Sequence, residues 1–362
     1  MINDYWYHTI YILFVSLITI FSYNNLKNRN GLLQYINSQN EHLLCFLLSF
    51  IIAIFIGLRP LDVVFGDMVA YESVYHSKLE GVPFEWNWES NNIIFDNYFA
   101  WVGSNRLGTT FFFCSISLLY FIGAYYASKR FFPKNTLAGY LIFLAAFSTF
   151  SYGVNGIKAG AAGVIFLNAL SYRNNLKICI PLMLISWGFH HSMQLPVMAF
   201  AMTLFYKNTK TYFVIWITCF AIAALHISFF QNLFSNLVDE KSASYLSHYD
   251  EDWGGKTGFR LDFIIYSAMP ILVGYWAIIK KRIKPSTTYS TLLNMYLITN
   301  SAWMLCIYAN FTNRIAYLSW FMYPFVLVYP YINENWGKNK YKDLSKVMLA
   351  HLSFKLIMVF IL

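Results

Sequence analysis

Apolar runs recur along all 362 residues, each cut off by a short polar connection, and nowhere does a long polar segment mark a soluble domain. Such runs must be buried in lipid, and a crossing helix needs about 20 of these residues. Composition agrees: 58% of the residues are hydrophobic and 12% charged, where soluble domains have about a quarter charged. The expected fold is an all-α polytopic integral membrane protein, with residues 1–362 forming a single transmembrane domain. In order, the spans fall near 5–23, 42–58, 108–128, 136–150, 154–171, 176–189, 193–206, 211–230, 261–279, 289–308, 314–331 and 346–362. The run from Tyr7 to Tyr23 has no basic leader and no small-residue cleavage site, so it is expected to remain as a helix. Cys45, Cys114, Cys179, Cys219 and Cys306 lie inside apolar runs without ligand-like pairing, as buried thiols do.

Net charge is +9, but its placement argues against nucleic acid. Alternate connections carry 17 of the 26 basic residues, in groups such as Lys129, Arg130 and Lys134, or Lys280, Lys281, Arg282 and Lys284. The same side holds only Glu41, Glu334 and Asp343 of the 17 acidic residues. Basic connections stay cytoplasmic. Both termini are therefore expected on the extracytoplasmic side, with about twelve spans and two larger outer loops at 59–106 and 231–260.

Ser151 to Phe166, SYGVNGIKAGAAGVIF, has the small-residue texture of a packed membrane helix but carries Lys158. An ammonium at that depth needs an anion and marks a functional site, unless it snorkels from a helix end. Further along, only 29 residues separate Lys177 from Lys207. As helix they rise about 44 Å, against about 60 Å for two full crossings. The turn GFHHSM, with His190 and His191, should thus lie below the outer surface, where irregular backbone is tolerated only along a protein-lined cavity. Arg314, in ANFTNRIAY, begins a helix and makes an anion site with its N-terminus. With Arg59, Arg106, Lys158 and Arg260 it forms a set of outer-side cations suited to a diphosphate.

The first outer loop mixes carboxylates (Asp62, Asp67, Glu72, Glu85, Glu89, Asp96) with aromatics (Tyr71, Tyr75, Trp86, Trp88, Trp101). Carboxylates grip hydroxyls and rings stack on sugar faces, so the mixture suits carbohydrate; it equally suits an acidic loop with interfacial aromatics. Asp67, Tyr71 and Tyr75 are spaced to share one face of a short helix. The second loop holds Asp250, Glu251 and Asp252 beside Trp253, without EF-hand spacing, and no metal is expected.

The order GLRP…GDMVAY, NGIKAGAAGVIFLNAL, FHHSMQLPV and TNRIAYLSWF, from about Gly57 to Tyr323, resembles the EpsG-like branch of the Wzy-type polysaccharide polymerases. Where the family pattern has Arg-Gln, this chain has Lys158-Ala159, a point charge in place of a bidentate guanidinium. The resemblance implies a glycosyltransferase at the outer face of the bacterial plasma membrane. It would move a polyprenyl-diphosphate-linked glycan onto the terminal sugar of a lipid-linked repeat unit. The roles expected are His190 as base, with Asp67 second; Lys158 and Arg314, supported by Arg59 and Arg260, on the diphosphate; and Tyr71, His191, Tyr317 and Trp253 on the glycan. No cofactor is expected. The implied partners are the lipid-linked donor and acceptor and membrane lipid, with a chain-length regulator left open.

Three other classes compete. A lipid-sugar flippase or other transporter would show internal repeats and charge through the membrane depth; neither is evident. A membrane O-acyltransferase of surface polysaccharide would carry an arginine–histidine pair in the first span, which Tyr5 to Tyr23 lacks. A GT-C type glycosyltransferase would use an acidic pair in the first outer loop, for which Asp62 and Asp67 are the candidates.

Overall fold

The computed structural model describes residues 6–28, 38–227 and 258–360, and every regular element among them is helical. They form two compact units, residues 1–190 with 339–362, and residues 191–338.

The first unit begins with α1 (Trp6–Asn28) and α2 (Ser38–Gly57). The outer loop of the sequence reading is not irregular: it contains a 3-10 turn, α3 (Met68–Val74), a π-turn (Tyr75–Leu79) and α4 (Ile93–Ser104). Then come α5 (Thr109–Phe131), α6 (Thr136–Leu144), α7 (Phe147–Val154), α8 (Ile157–Ser171) and α9 (Leu176–Phe189). α2 packs on α5, α5 on α8, and α8 on α9. Gly57 lets α2 approach α5 closely, since a Cβ there would lie 2.7 Å from Cys114 Cα.

The second unit contains α10 (Gln194–Phe205), α11 (Thr209–Ala224), α12 (Leu261–Tyr275), α13 (Thr287–Leu305), α14 (Thr312–Trp320) and α15 (Tyr323–Asn333). Its interior is aromatic, and three indole N–H groups find acceptors there: Trp216 on Asn300 at 2.7 Å, Trp303 on Thr312 at 2.8 Å and Trp320 on Ser267 at 2.7 Å. α16 (Lys340–Phe360) returns to the first unit and packs along α1.

Among the described residues, five helical stretches are long and apolar enough to cross a membrane: Trp6–Asn24, Asn40–Gly57, Thr109–Phe131, Leu261–Lys280 and Thr312–Asn333. A sixth results if α6 and α7 count as one broken span. The expected span at 136–150 is in fact this pair, bent by 70°. The connection expected between the spans at 136–150 and 154–171 falls at Asn155–Gly156, between α7 and α8. α9 and α10 have 14 and 12 residues, too short for a full crossing each.

Bending α6 away from α7 frees carbonyls that an unbroken helix would have used, and in apolar surroundings they must find other donors. The Thr149 hydroxyl donates to the Phe143 carbonyl at 2.5 Å. The Leu144 carbonyl accepts from the Tyr11 hydroxyl at 2.8 Å and from Lys355 Nζ at 3.2 Å. His351 Nε2 donates to the Ile142 carbonyl at 3.2 Å. The polar residues that weaken the last apolar run are thus buried, Lys355 being 1% exposed, and serve the broken pair.

Candidate functional site

Within the first unit, hydrogen bonds sort the helix ends into two groups. At one end, Arg130 donates to the Asn168 carboxamide at 2.9 Å and lies over the Tyr172 ring, and Glu41 accepts from the N–H of Leu137 at 2.7 Å. The opposite end gathers the C-termini of α2, α7 and α9, the N-termini of α5 and α8, and the loop that bears α3 and α4. Most of the first-unit site candidates lie at that second end.

Lys158 sits in the first turn of α8. Its ammonium donates to Asp96 Oδ1 at 2.7 Å and lies 4.9 Å from the centre of the Phe95 ring. The anion that its depth demands is therefore a carboxylate of α4. Asp96 is held in turn by Ser90, whose hydroxyl donates to Oδ2 at 2.6 Å. The two side chains remain 27% and 38% exposed, so a ligand can reach both. Phe95 also meets Phe189, with ring centres 6.2 Å apart, and Gly188 faces Ile93 and Ile94. The C-terminus of α9, capped by His190, is thereby fixed against the helix that carries Asp96.

Asp67 enters the same end through the backbone. Its N–H donates to Asn155 Oδ1 at 3.0 Å, so the residue that breaks the helix before Lys158 also anchors the acidic loop. Gly66 makes this possible: its φ is +70°, and a Cβ would overlap the Asn155 carboxamide at 2.5 Å. Arg59 is 4% exposed and donates to the carbonyls of Ile56 and Val154, both at 2.8 Å. Burial lowers its pKa to about 10, so it stays charged at neutral pH, tying α2 to α7. In this structure Arg59 faces carbonyls and the Phe65 and Phe113 rings.

Tyr71 is half-buried among Phe95, Phe99, Phe112 and Phe113. The Tyr71 N–H donates to the Asp67 carbonyl at 3.1 Å and the Tyr75 N–H to the Tyr71 carbonyl, so the expected one-face spacing is built, and the helix widens to a π-turn only beyond Tyr75. Tyr75 is buried and accepts from the Gly108 N–H at 3.0 Å. Beside it, His76 bridges Glu72 at 3.0 Å and Glu80 at 2.7 Å, while Thr109 donates to Glu72.

The hydrogen bonds to Glu80 and Glu72 raise the His76 pKa above its usual value of about 6.5. The clamp is complete below that value and weakens as pH rises through the raised one. Amide exchange at residues 72–80, corrected for intrinsic rate, is expected to speed up above this pH in the wild type, and a His76→Gln variant should show no such step.

In the second unit, Arg260 makes a two-pronged pair with Asp262, Nε to Oδ1 at 2.9 Å, and stacks on Phe263. Arg314 lies 5.4 Å from the Phe311 ring centre in the first turn of α14. Phe311 holds φ +50° there, a left-handed conformation that a bulky residue adopts at about 1–3 kcal/mol. Tyr317 is 1% exposed. His191 opens a 3-10 turn, His191–Met193, and is half-buried. Trp253 lies outside the described residues.

Sequence reasoning missed Ser90 and Asn155, and it read Asp96 only as one of the loop carboxylates, not as the partner of Lys158. The available signal was a carboxylate inside the otherwise apolar IIFDNYFAWV, which a loop assignment hid.

These features define a helical membrane protein with an acid-rich end around an accessible lysine–carboxylate pair. The chain belongs to the EpsG family, whose family model matches residues 42–362. That membership suggests a role of the polysaccharide-polymerase type. No curated protein and no solved structure matches the chain.

Proposed function

We propose that this protein is a polysaccharide polymerase, a glycosyltransferase acting on lipid-linked glycans at the extracytoplasmic face of the bacterial plasma membrane. The observation that carries the reading is the half-exposed Lys158–Asp96 pair on the first turn of α8, with the His190 end of α9 packed onto the same helix, α4. An ammonium on a helix N-terminus favours an anion, and the arriving diphosphate competes with Asp96 for it. An acceptor hydroxyl attacks the anomeric carbon of the donor glycan, the bond to the diphosphate oxygen breaks, and polyprenyl diphosphate leaves with the electron pair. The hydroxyl proton passes to His190, with Asp67 as the second candidate. Diphosphate is a good leaving group once its charge is met, so this route needs no metal.

Arg314 and Arg260 are the corresponding diphosphate candidates of the second unit, and His191, Tyr317 and Trp253 its glycan candidates. Arg59 supports from beneath as a fixed positive charge, and Tyr71 lies along the glycan side of the first unit. Twelve spans with both termini outward belong to the same proposal, which puts the acid-rich end outside and the Arg130 end in the cytoplasm. A chain-length regulator remains a candidate partner.

Purified protein supplied with a defined lipid-linked repeat should make longer glycans, and His190→Ala should lower the rate at least about tenfold. An unchanged rate removes His190 from the chemistry, and no product from the wild type removes the polymerase reading.

A further inference from the structure

Between the π-turn and α4, residues 80–92 form no helix, yet three large aromatic side chains there point outward: Phe84 is 38% exposed, Trp86 44% and Trp88 77%. Their rings make a row, with Phe84 to Trp86 at 6.4 Å and Trp86 to Trp88 at 5.6 Å between centres. Exposed apolar patches of this kind mark interaction sites.

The backbone beneath the row is fixed. Asn97, 2% exposed, accepts from the Asn87 N–H at 2.7 Å and donates to the Asn87 carbonyl at 2.8 Å and the Ile93 carbonyl at 2.6 Å. Asn87 accepts from the Glu89 N–H at 2.9 Å, and the Gly81 N–H donates to the Gly103 carbonyl at 2.9 Å. Rings held on such a backbone lose little freedom when a ligand arrives. Phe84 also lines a cavity of about 350 Å³ with Leu79, Val82, Pro83, Glu85 and Ala100. That volume is at the small end for ligand pockets.

Charge selects the occupant. From Lys78 to Arg106 the chain carries four acids, Glu80, Glu85, Glu89 and Asp96, against two bases at its ends, Lys78 and Arg106, the latter lying against Gly81. An anchor for anionic headgroups would need the opposite sign. A sugar fits: its C–H face meets the electron-rich ring face, and its hydroxyls donate to carboxylates. The row also adjoins the lysine pair, because Ser90, two residues beyond Trp88, bonds Asp96, which bonds Lys158.

We propose that Phe84, Trp86 and Trp88, with Glu85 and Glu89, form a sugar-stacking subsite that holds the glycan beside the Lys158–Asp96 pair. The subsite rests on the polymerase reading and deepens it by assigning where sugars are gripped.

The probe is the lipid-free oligosaccharide released by mild acid from the lipid-linked repeats of cells carrying this protein. Saturation-transfer NMR on the full chain in detergent should show transfer to the sugar C–H protons. Trp88→Ala and Trp86→Ala should each weaken binding about fivefold, while Trp88→Tyr keeps most of it. In turnover, KM for the lipid-linked repeat should rise, with kcat within about twofold of wild type. No transfer to the wild type overturns the subsite. Unchanged binding and KM in both alanine variants, in a wild type that still polymerises, overturns it and leaves the polymerase reading intact. Sugar binding that depends on Trp88 without any polymer supports the subsite and rejects the polymerase. If brominated lipid quenches a tryptophan emission in the reconstituted wild type that Trp88→Ala lacks, while Trp88→Ala keeps sugar binding, the row is a membrane anchor and the proposal falls.

Discussion

Lys158→Ala is expected to lower polymer synthesis by about a hundredfold or more, the scale of loss when one preorganised donor is taken from a developing anion. Stability should barely change, because an ion pair between partners this exposed contributes only about 0–1 kcal/mol. Asp96→Asn separates the two roles that the pair could have. If Asp96 mainly occupies the ammonium until a diphosphate arrives, removing its charge frees Lys158, and inorganic pyrophosphate should inhibit the variant at lower concentration than the wild type. If the pair only braces α8 against α4, both variants should lose melting temperature and activity together. Lys158→Arg should retain more activity than Lys158→Ala, since the cation is kept. Full activity in Lys158→Ala would end the assignment.

Gly160→Ala is expected to be strongly destabilising. A Cβ at Gly160 would lie 2.4 Å from the Tyr152 carbonyl oxygen and 3.4 Å from the Tyr120 ring. A backbone carbonyl cannot swing aside as a side chain can, so α7 would have to move off α8. Alanine's better helix propensity returns about 1 kcal/mol, against an overpacking cost of about 3 kcal/mol or more when backbone must shift. Gly123→Ala is the control, since its Cβ would meet the Val164 methyl at 2.5 Å and no backbone atom. Thermal unfolding in detergent should place Gly160→Ala well below Gly123→Ala. Lys158 is two residues away, so activity should fall even in the fraction still folded. Equal melting temperatures would show that the α7–α8 junction yields more easily than its packing implies.

The helical class was legible because lipid leaves apolar runs one dominant solution. The interruptions were not, because a helix break in apolar surroundings depends on donors that arrive from elsewhere. Nothing in TLAGYLIFLAAFSTF announces a 70° bend; the bend survives because Tyr11, His351 and Lys355 satisfy the carbonyls it frees. Lys158 was legible as a charge needing an anion, but its partner is 62 residues away on a helix that had been read as loop. The spacing of Asp67, Tyr71 and Tyr75 did signal a helical face, but not that Tyr75 is buried on it and accepts from the Gly108 N–H. Arg59 was legible as an outer-side cation, but GLRP shows neither of the carbonyls that it bonds.

The Leu144 carbonyl receives a phenol from the first helix of the chain and an ammonium from the last. Whatever order the intervening helices follow as they leave the ribosome, that oxygen has only one of its two donors until α16 has been made. The interior of the first unit is therefore closed by a helix made well after α6 and α7, so the broken pair matures only once α16 has emerged.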